Sequence, residues 1–163
     1  MPIKTLEDLF TETLKDMYYV EKKLVKTLPT MEKKAVDQEL KDAINSHAAE
    51  TETHVARLEQ VFEACEIKPQ AKKCEALEGL LEEANEVLED IKDDRAMDAA
   101  IISSAQTVEH YEMARYGSLI AWARELGFNE AADIMQETLD EEESADQKLS
   151  DIAEDAVNQR AAA

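Results

Sequence analysis

Turn-forming residues are scarce. The chain of 163 residues contains three glycines and three prolines, too few for the tight turns of a β-sandwich or barrel. Its two cysteines, Cys65 and Cys74, lack metal-type spacing and are expected to be free thiols. No stretch approaches the roughly 18 apolar residues of a membrane span. Residues 1–10 lack a basic segment followed by an apolar one, so no signal peptide is expected and a cytoplasmic location is. There is no Gly-rich phosphate loop, no Gly-x-Ser-x-Gly elbow and no Cys–His nucleophile arrangement. Positive charge is also in short supply. Lys and Arg total 18 against 38 Asp and Glu, a net charge of −20. Such a surface repels phosphate backbones and anionic lipid, which excludes sequence-independent nucleic-acid binding, and it attracts cations.

What is present is helical periodicity in a chain long enough for one domain with a sizeable core. Hydrophobic residues make up 44 % and charged residues 34 %, the balance of a folded protein. Apolar stripes at spacings of three and four predict helices over about 5–35, 38–66, 72–92, 96–126 and 130–157. Thr5 is suited to cap the first, with Asp8 at its third position, and Asp37 to cap the second. Pro29 is expected to kink the first helix. Gly127 marks a helix end, and the tail from Arg160 is expected to fray. Four long helices form two hairpins. A crossover carrying an extra shorter helix joins them. This predicts an all-α four-helix bundle with one long connection, as in ferritin-like folds.

The seams of this bundle contain acids. Glu21 lies between Met17 and Leu24, Glu50 beside His47 and His54, Glu109 and Glu112 between Ala105 and Tyr116, and Glu142 between Leu139 and Leu149. At about 1.5 Å per residue, Glu21 and Glu50 both stand about 20 Å from the first hairpin turn, and Glu112 and Glu142 about 22 Å from the second. If the hairpins pack side by side, the acids meet in one layer. Carboxylates in a dry core must protonate or bind cations. Two divalent ions would satisfy them, and a carboxylate-rich set with one or two imidazoles suits iron first and manganese second. The candidate ligands are Glu21, His47, Glu50, Glu109, Glu112, Glu142 and Asp146, the last on the same face as Glu142 four residues on. Two alternatives stay open: His47 or His54 as the imidazole, and Glu141 or Glu142 as the inward acid, with Glu142 favoured by its apolar face. The common bundle pattern has a Glu-x-x-His on two helices. Here position 53 is Thr and position 145 is Ala. Tyr116, one turn from Glu112, is a packing residue or a hydrogen-bond donor to the site, and His110 is expected to point outward.

Several of these segments carry a resemblance. They are Ile3-Lys4-Thr5-Leu6-Glu7-Asp8-Leu9-Phe10, Glu21-Lys22, His47-Ala48-Ala49-Glu50-Thr51, Gln106-Thr107-Val108-Glu109-His110-Tyr111-Glu112, Tyr116-Gly117, Leu139-Asp140-Glu141-Glu142 and, in the crossover, Cys74-Glu75-Ala76-Leu77-Glu78-Gly79. Over nearly its whole length the chain resembles the YciE/YciF family of ferritin-like stress proteins. The resemblance implies a bundle related to rubrerythrin-type di-iron proteins, a homodimer, and a link to stress responses. It implies carboxylate ligands at Glu21, Glu50, Glu109, Glu112 and Glu142.

Two functions of different class follow. One is a dimetal protein that oxidises Fe(II) with peroxide or O₂, with catalase-type chemistry as its manganese neighbour. The other is a non-catalytic helical stress or scaffold protein whose core acids bind no metal.

Overall fold

The computed structural model describes residues 2–163. Helix α1 runs Leu6–Lys34, α2 Gln38–Ala64, α3 Glu75–Asp90, α4 Asp94–Glu125 and α5 Asn129–Ile152. Beyond α5 the backbone makes a π-helical turn, Ala153–Val157, and a last short helix α6, Asn158–Ala162. No strand occurs among the described residues.

The helix ends follow local chemistry. Thr5 Oγ1 accepts from the Asp8 N–H and Asp8 Oδ2 accepts from the Thr5 N–H, both at 3.0 Å, a reciprocal cap that satisfies two otherwise orphaned donors. Asp37 Oδ1 accepts from the Leu40 N–H at 2.9 Å and starts α2. Gly127 ends α4 with φ +82°, and the Phe128 N–H donates back to the Ala123 carbonyl at 2.8 Å. Glu66 closes α2 in the same left-handed way with φ +55°, although it carries a side chain. Pro29 sits on an exposed face of α1, and the helix continues through it to Lys34. The C-terminal tail is not frayed: it is helical to Ala162, and Arg160 pairs with Asp37 across the molecule.

The bundle follows from which helices touch. α1 packs on α2 and α4, and α5 packs on the other sides of α2 and α4. The order around the bundle is therefore α1–α2–α5–α4. The crossover returns the chain along α1, where the Lys72 N–H donates to the Lys15 carbonyl at 3.1 Å. α3 then packs on the outside of α4. Asp98, near the start of α4, is buried and clamps the α1–α2 turn. Its two oxygens accept from the Val36 and Asp37 N–H groups at 2.7 and 3.0 Å. α4 therefore begins where the first hairpin turns, and this sets all four long helices to the same height.

Candidate metal centre

The core is apolar at both ends and acidic in the middle. Phe10, Leu14, Phe62 and Leu119 fill one end and Leu40, Ile44, Ile102 and Ile152 the other, all nearly or fully excluded from solvent. Between them lie Glu21 from α1, His47 and His54 from α2, Glu109 and Glu112 from α4, and Glu142 from α5, every one buried. Glu21, Glu112 and Glu142 have no exposed surface.

Donor atoms of five of these six residues converge on two points, and Glu112 stands outside both groups. Glu21, His54 and Glu142 form one group, and His47, Glu109 and Glu142 the other, with ligand atoms in each within 4.8 Å of one another. Glu142 belongs to both. His47 Nε2 lies 3.0 Å from Glu109 Oε1 and 3.5 Å from Glu142 Oε2. His54 Nδ1 lies 3.0 Å from Glu142 Oε1 and 3.6 Å from Glu21 Oε2. Yet the angles of a hydrogen bond are not met there. Among the described residues, eight buried side-chain atoms lack a hydrogen-bond partner, and all eight are on Glu21, His47, His54, Glu109, Glu112 and Glu142. Glu112 has a partner on neither oxygen. Buried polar atoms are normally satisfied, so orphans confined to one layer point to a missing binding partner.

Electrostatics agrees. Burial pushes the Glu112 carboxyl well above the ordinary range, and Glu142, Glu21 and Glu109 add to the rise. Burial also raises Glu21, despite His54 and Tyr116, and lifts Glu142 to about 7. Burial alone would lower both imidazoles. Glu142 and Glu21 outweigh it at His54, which rises to about 10, and Glu109 and Glu50 outweigh it at His47, which also rises. The centre thus wants positive charge, as protons or as cations.

Surrounding groups hold the inner ones. Tyr116, fully buried, donates to Glu21 Oε1 at 2.5 Å. His54 Nε2 meets Glu141 Oε2 at 2.8 Å, and Arg57 grips Glu141 through two nitrogens at 2.7 and 2.8 Å. Glu142 therefore lies in the core, while Glu141 sits at its edge and braces His54 from behind. With Arg57 and His54 against it, Glu141 is held down at about 2. A carboxylate behind a ligating imidazole fixes the ring and its tautomer.

Besides Glu112, two of the predicted ligands lie outside both donor groups. Glu50 is outside both donor groups. It contacts His47 Nδ1 at 3.3 Å, and its side chain is 43 % exposed. It lines a window of about 190 Å³ between α2 and α5 that leads inward to His47 and Glu109. Asp146 is also outside. It contacts His110 Nε2 at 3.0 Å and accepts from Gln106 Nε2 at 3.1 Å, on the outer seam of α4 and α5. The Arg57–Glu141 brace and the Asp98 clamp were not anticipated, because both join residues more than 60 positions apart and no local spacing signals them.

Comparison with known proteins places this geometry in a family. Residues 5–162 match a family model described as a domain of unknown function, DUF892. The chain is 43 % identical to the protein YciF of Escherichia coli over 162 residues, covering 99 % of this chain and 98 % of that one. The crystal structure of the E. coli stress protein YciF superposes with a TM-score of 0.91 at 43 % identity, covering 96 % of this chain and 99 % of that chain. YcfI of Rhodopseudomonas palustris, described as a candidate structural protein, superposes at 0.89 with 44 % identity over 91 % and 94 % of the two chains. A Xanthomonas campestris protein at 24 % identity shares the fold, with a TM-score of 0.73 over 96 % of each chain. Sequence, bundle and family model agree, and the chain belongs to the DUF892 family of ferritin-like helical bundles, as a homologue of YciF.

Proposed function

We propose that the protein holds two divalent metal ions in the bundle core, iron before manganese, and oxidises Fe(II) with peroxide or O₂ as a cytoplasmic stress protein acting as a homodimer. The observation that carries this reading is the set of eight unpartnered buried atoms, all on six carboxylate and imidazole side chains in one layer. Charge gives the number of ions. Four carboxylates, Glu21, Glu109, Glu112 and Glu142, are buried where each ion is costly. Ionised, they carry 4 × −1 = −4, which two divalent cations balance while both imidazoles stay neutral. The donor set is oxygen and imidazole with no thiolate, which suits iron and manganese.

Bound iron would supply the electrons for reduction of the oxidant at an open coordination position. The chain's own residues prepare that position. Glu142 belongs to both donor groups and is placed to join them. Glu21 and His54 define one group, His47 and Glu109 the other. Tyr116 fixes Glu21, and Glu141 with Arg57 fixes His54. The apolar ends of the core exclude water from the layer. The window beside Glu50 gives small molecules an approach to His47 and Glu109.

The scaffold reading draws on a different observation. His47 and His54 stand against the acids as counter-charges, and a relative is described as a candidate structural protein. Elemental analysis of protein purified without chelator, paired with thermal melts before and after chelation, separates the two. Two metal ions per chain and a lower melting temperature after chelation are expected, because a ligand bound only by the native state stabilises it. Absence of both metal and shift leaves the scaffold. Size-exclusion chromatography with light scattering tests the dimer.

A further inference from the structure

Glu109 is approached from two sides of the bundle. One approach is the window between α2 and α5. The other is a groove of about 750 Å³ walled by α1, α3 and α4. Both are lined by Leu28, Ala105 and Glu109, so they end on the same inner wall. The groove is kept open by small residues. Ser104 and Ala105 lie on its α4 wall, and Gly79 lies on its α3 wall, where an added Cβ would meet nothing within 4 Å.

The two mouths differ in charge. The window has Glu50, already occupied by His47, and Lys148, which offset one another. The groove carries Glu75, Glu78, Glu82, Glu86 and Glu89 against Lys23 and Lys73, a balance of 2 − 5 = −3. Lys23 pairs with Glu78 at 3.0 Å and Lys73 with Glu75 at 3.1 Å. Among the described residues no Lys or Arg pairs with the carboxylates of Glu82, Glu86 or Glu89, although Lys92 Nζ donates to the Glu89 carbonyl at 2.8 Å, and all three acids are exposed. A concave wall of one sign concentrates oppositely charged ions and speeds their arrival. Glu109 lines the inner end of the groove. Glu109 is 3 % exposed, and its Oε2 has no hydrogen-bond partner.

Resting on the metal-binding reading above, we propose that divalent cations enter through the groove under α3, drawn in by Glu82, Glu86 and Glu89, and meet Glu109 first. The window between α2 and α5 is not their path. Its neutral mouth suits a small uncharged oxidant.

The test is stopped-flow loading of the metal-free full-length protein with Co(II), read by its ligand-field absorbance, in low and high salt. The double variant Glu82→Lys/Glu86→Lys changes only exposed α3 positions. Loading is expected to slow about tenfold in low salt and to approach the wild-type rate in high salt, where the field is screened. The final number of ions bound is expected to stay unchanged. The variant Glu63→Lys/Glu125→Lys, with the same change in net charge at a distance, is expected to load at close to the wild-type rate. Ser104→Trp, which narrows the groove, should slow loading at all salt concentrations, and Ser46→Trp at the window should not. Equal rates for wild type and the α3 variant, equal slowing by the distant variant, or slowing by Ser46→Trp alone would each overturn the groove as the path. Failure of the wild type to bind Co(II) at equilibrium would instead remove the metal-binding reading, and the groove proposal with it.

Discussion

Tyr116 Oη stands 2.5 Å from Glu21 Oε1 with both side chains fully buried, and it donates a hydrogen bond to this acid. The bond joins α4 to α1 across the centre. Replacing Tyr116 with Phe keeps the ring and leaves a second oxygen of Glu21 without a partner. A hydrogen bond to a charged group is worth about 1.5–3 kcal/mol, so Tyr116→Phe is expected to lower the stability of the metal-free protein by about 2 kcal/mol. Urea denaturation of both proteins in chelator measures it. An unchanged midpoint would mean that Glu21 gains nothing from the phenol.

The metal-free protein should be less stable at high pH than at pH 5. An unfolded glutamate titrates near 4.5, whereas Glu142 in the folded chain titrates at about 7 and Glu112 and Glu21 are also raised. Between those pH values the unfolded chain has released protons that the folded chain keeps, so stability falls as pH rises. His54, raised to about 10, acts in the same direction. Its contribution is complete below about 6.5 and is lost as pH climbs toward 10. Glu141 and Glu50, both lowered, act oppositely and only at the acid end, losing their contribution as pH drops below 4.5. Ligands must be deprotonated to bind metal, so bound metal strengthens with pH. The gap between melting temperatures with and without chelator should therefore widen from pH 5 to pH 9. A gap constant over that range would argue against ligation by these groups.

Glu66 offers a test away from the centre. It holds φ +55° at the end of α2, while the Ile67 N–H closes the turn on the Phe62 carbonyl at 2.9 Å. A side chain in the left-handed region costs about 1–2 kcal/mol, and glycine avoids this while losing about 0.5–1 kcal/mol of chain entropy. Glu66→Gly is expected to stabilise by about 0.5–1 kcal/mol, a rise of roughly 1–4 °C in melting temperature for a chain of this size. A fall would show that the Glu66 side chain contributes more than its backbone strain costs.

The fold was legible because its signals are local. Helical periodicity, the Thr5 and Asp37 caps and the Gly127 stop each lie within a few residues of what they determine. The height of the acid layer was legible as well, since residues counted from a hairpin turn convert directly into distance along a helix. Lateral placement was not. Glu50 and His54 are only four residues apart on α2, yet one lies at a window and the other in the core. That outcome depends on how α2 rotates against α5, which no residue of α2 reports. Asp146 shares a face with Glu142, but His110 on α4 draws it to the outer seam. Pro29 lies inside α1, which continues through it to Lys34 with Leu24 and Leu28 buried beside it.

Glu112 brings the two readings of the protein into direct opposition. It is fully buried, neither oxygen has a partner, and burial with three neighbouring acids pushes its carboxyl well up. In a metal-free chain at pH 8 such a group is a burden whether it holds its proton or gives it up. Glu112→Gln keeps the shape and removes the titration, so the metal-free variant should be more stable than the parent at pH 8. With metal the balance reverses. Three carboxylates no longer neutralise two divalent cations, and an oxygen donor loses its charge. Affinity should fall at least about tenfold, close to 1.4 kcal/mol. The variant should thus be more stable than the parent in chelator and gain less than the parent from added Fe(II) or Mn(II). A scaffold whose acids bind no metal predicts the first effect alone, with melts that do not respond to metal in either protein. Four thermal melts, two proteins with and without metal, decide whether Glu112 is retained as a ligand at the expense of stability.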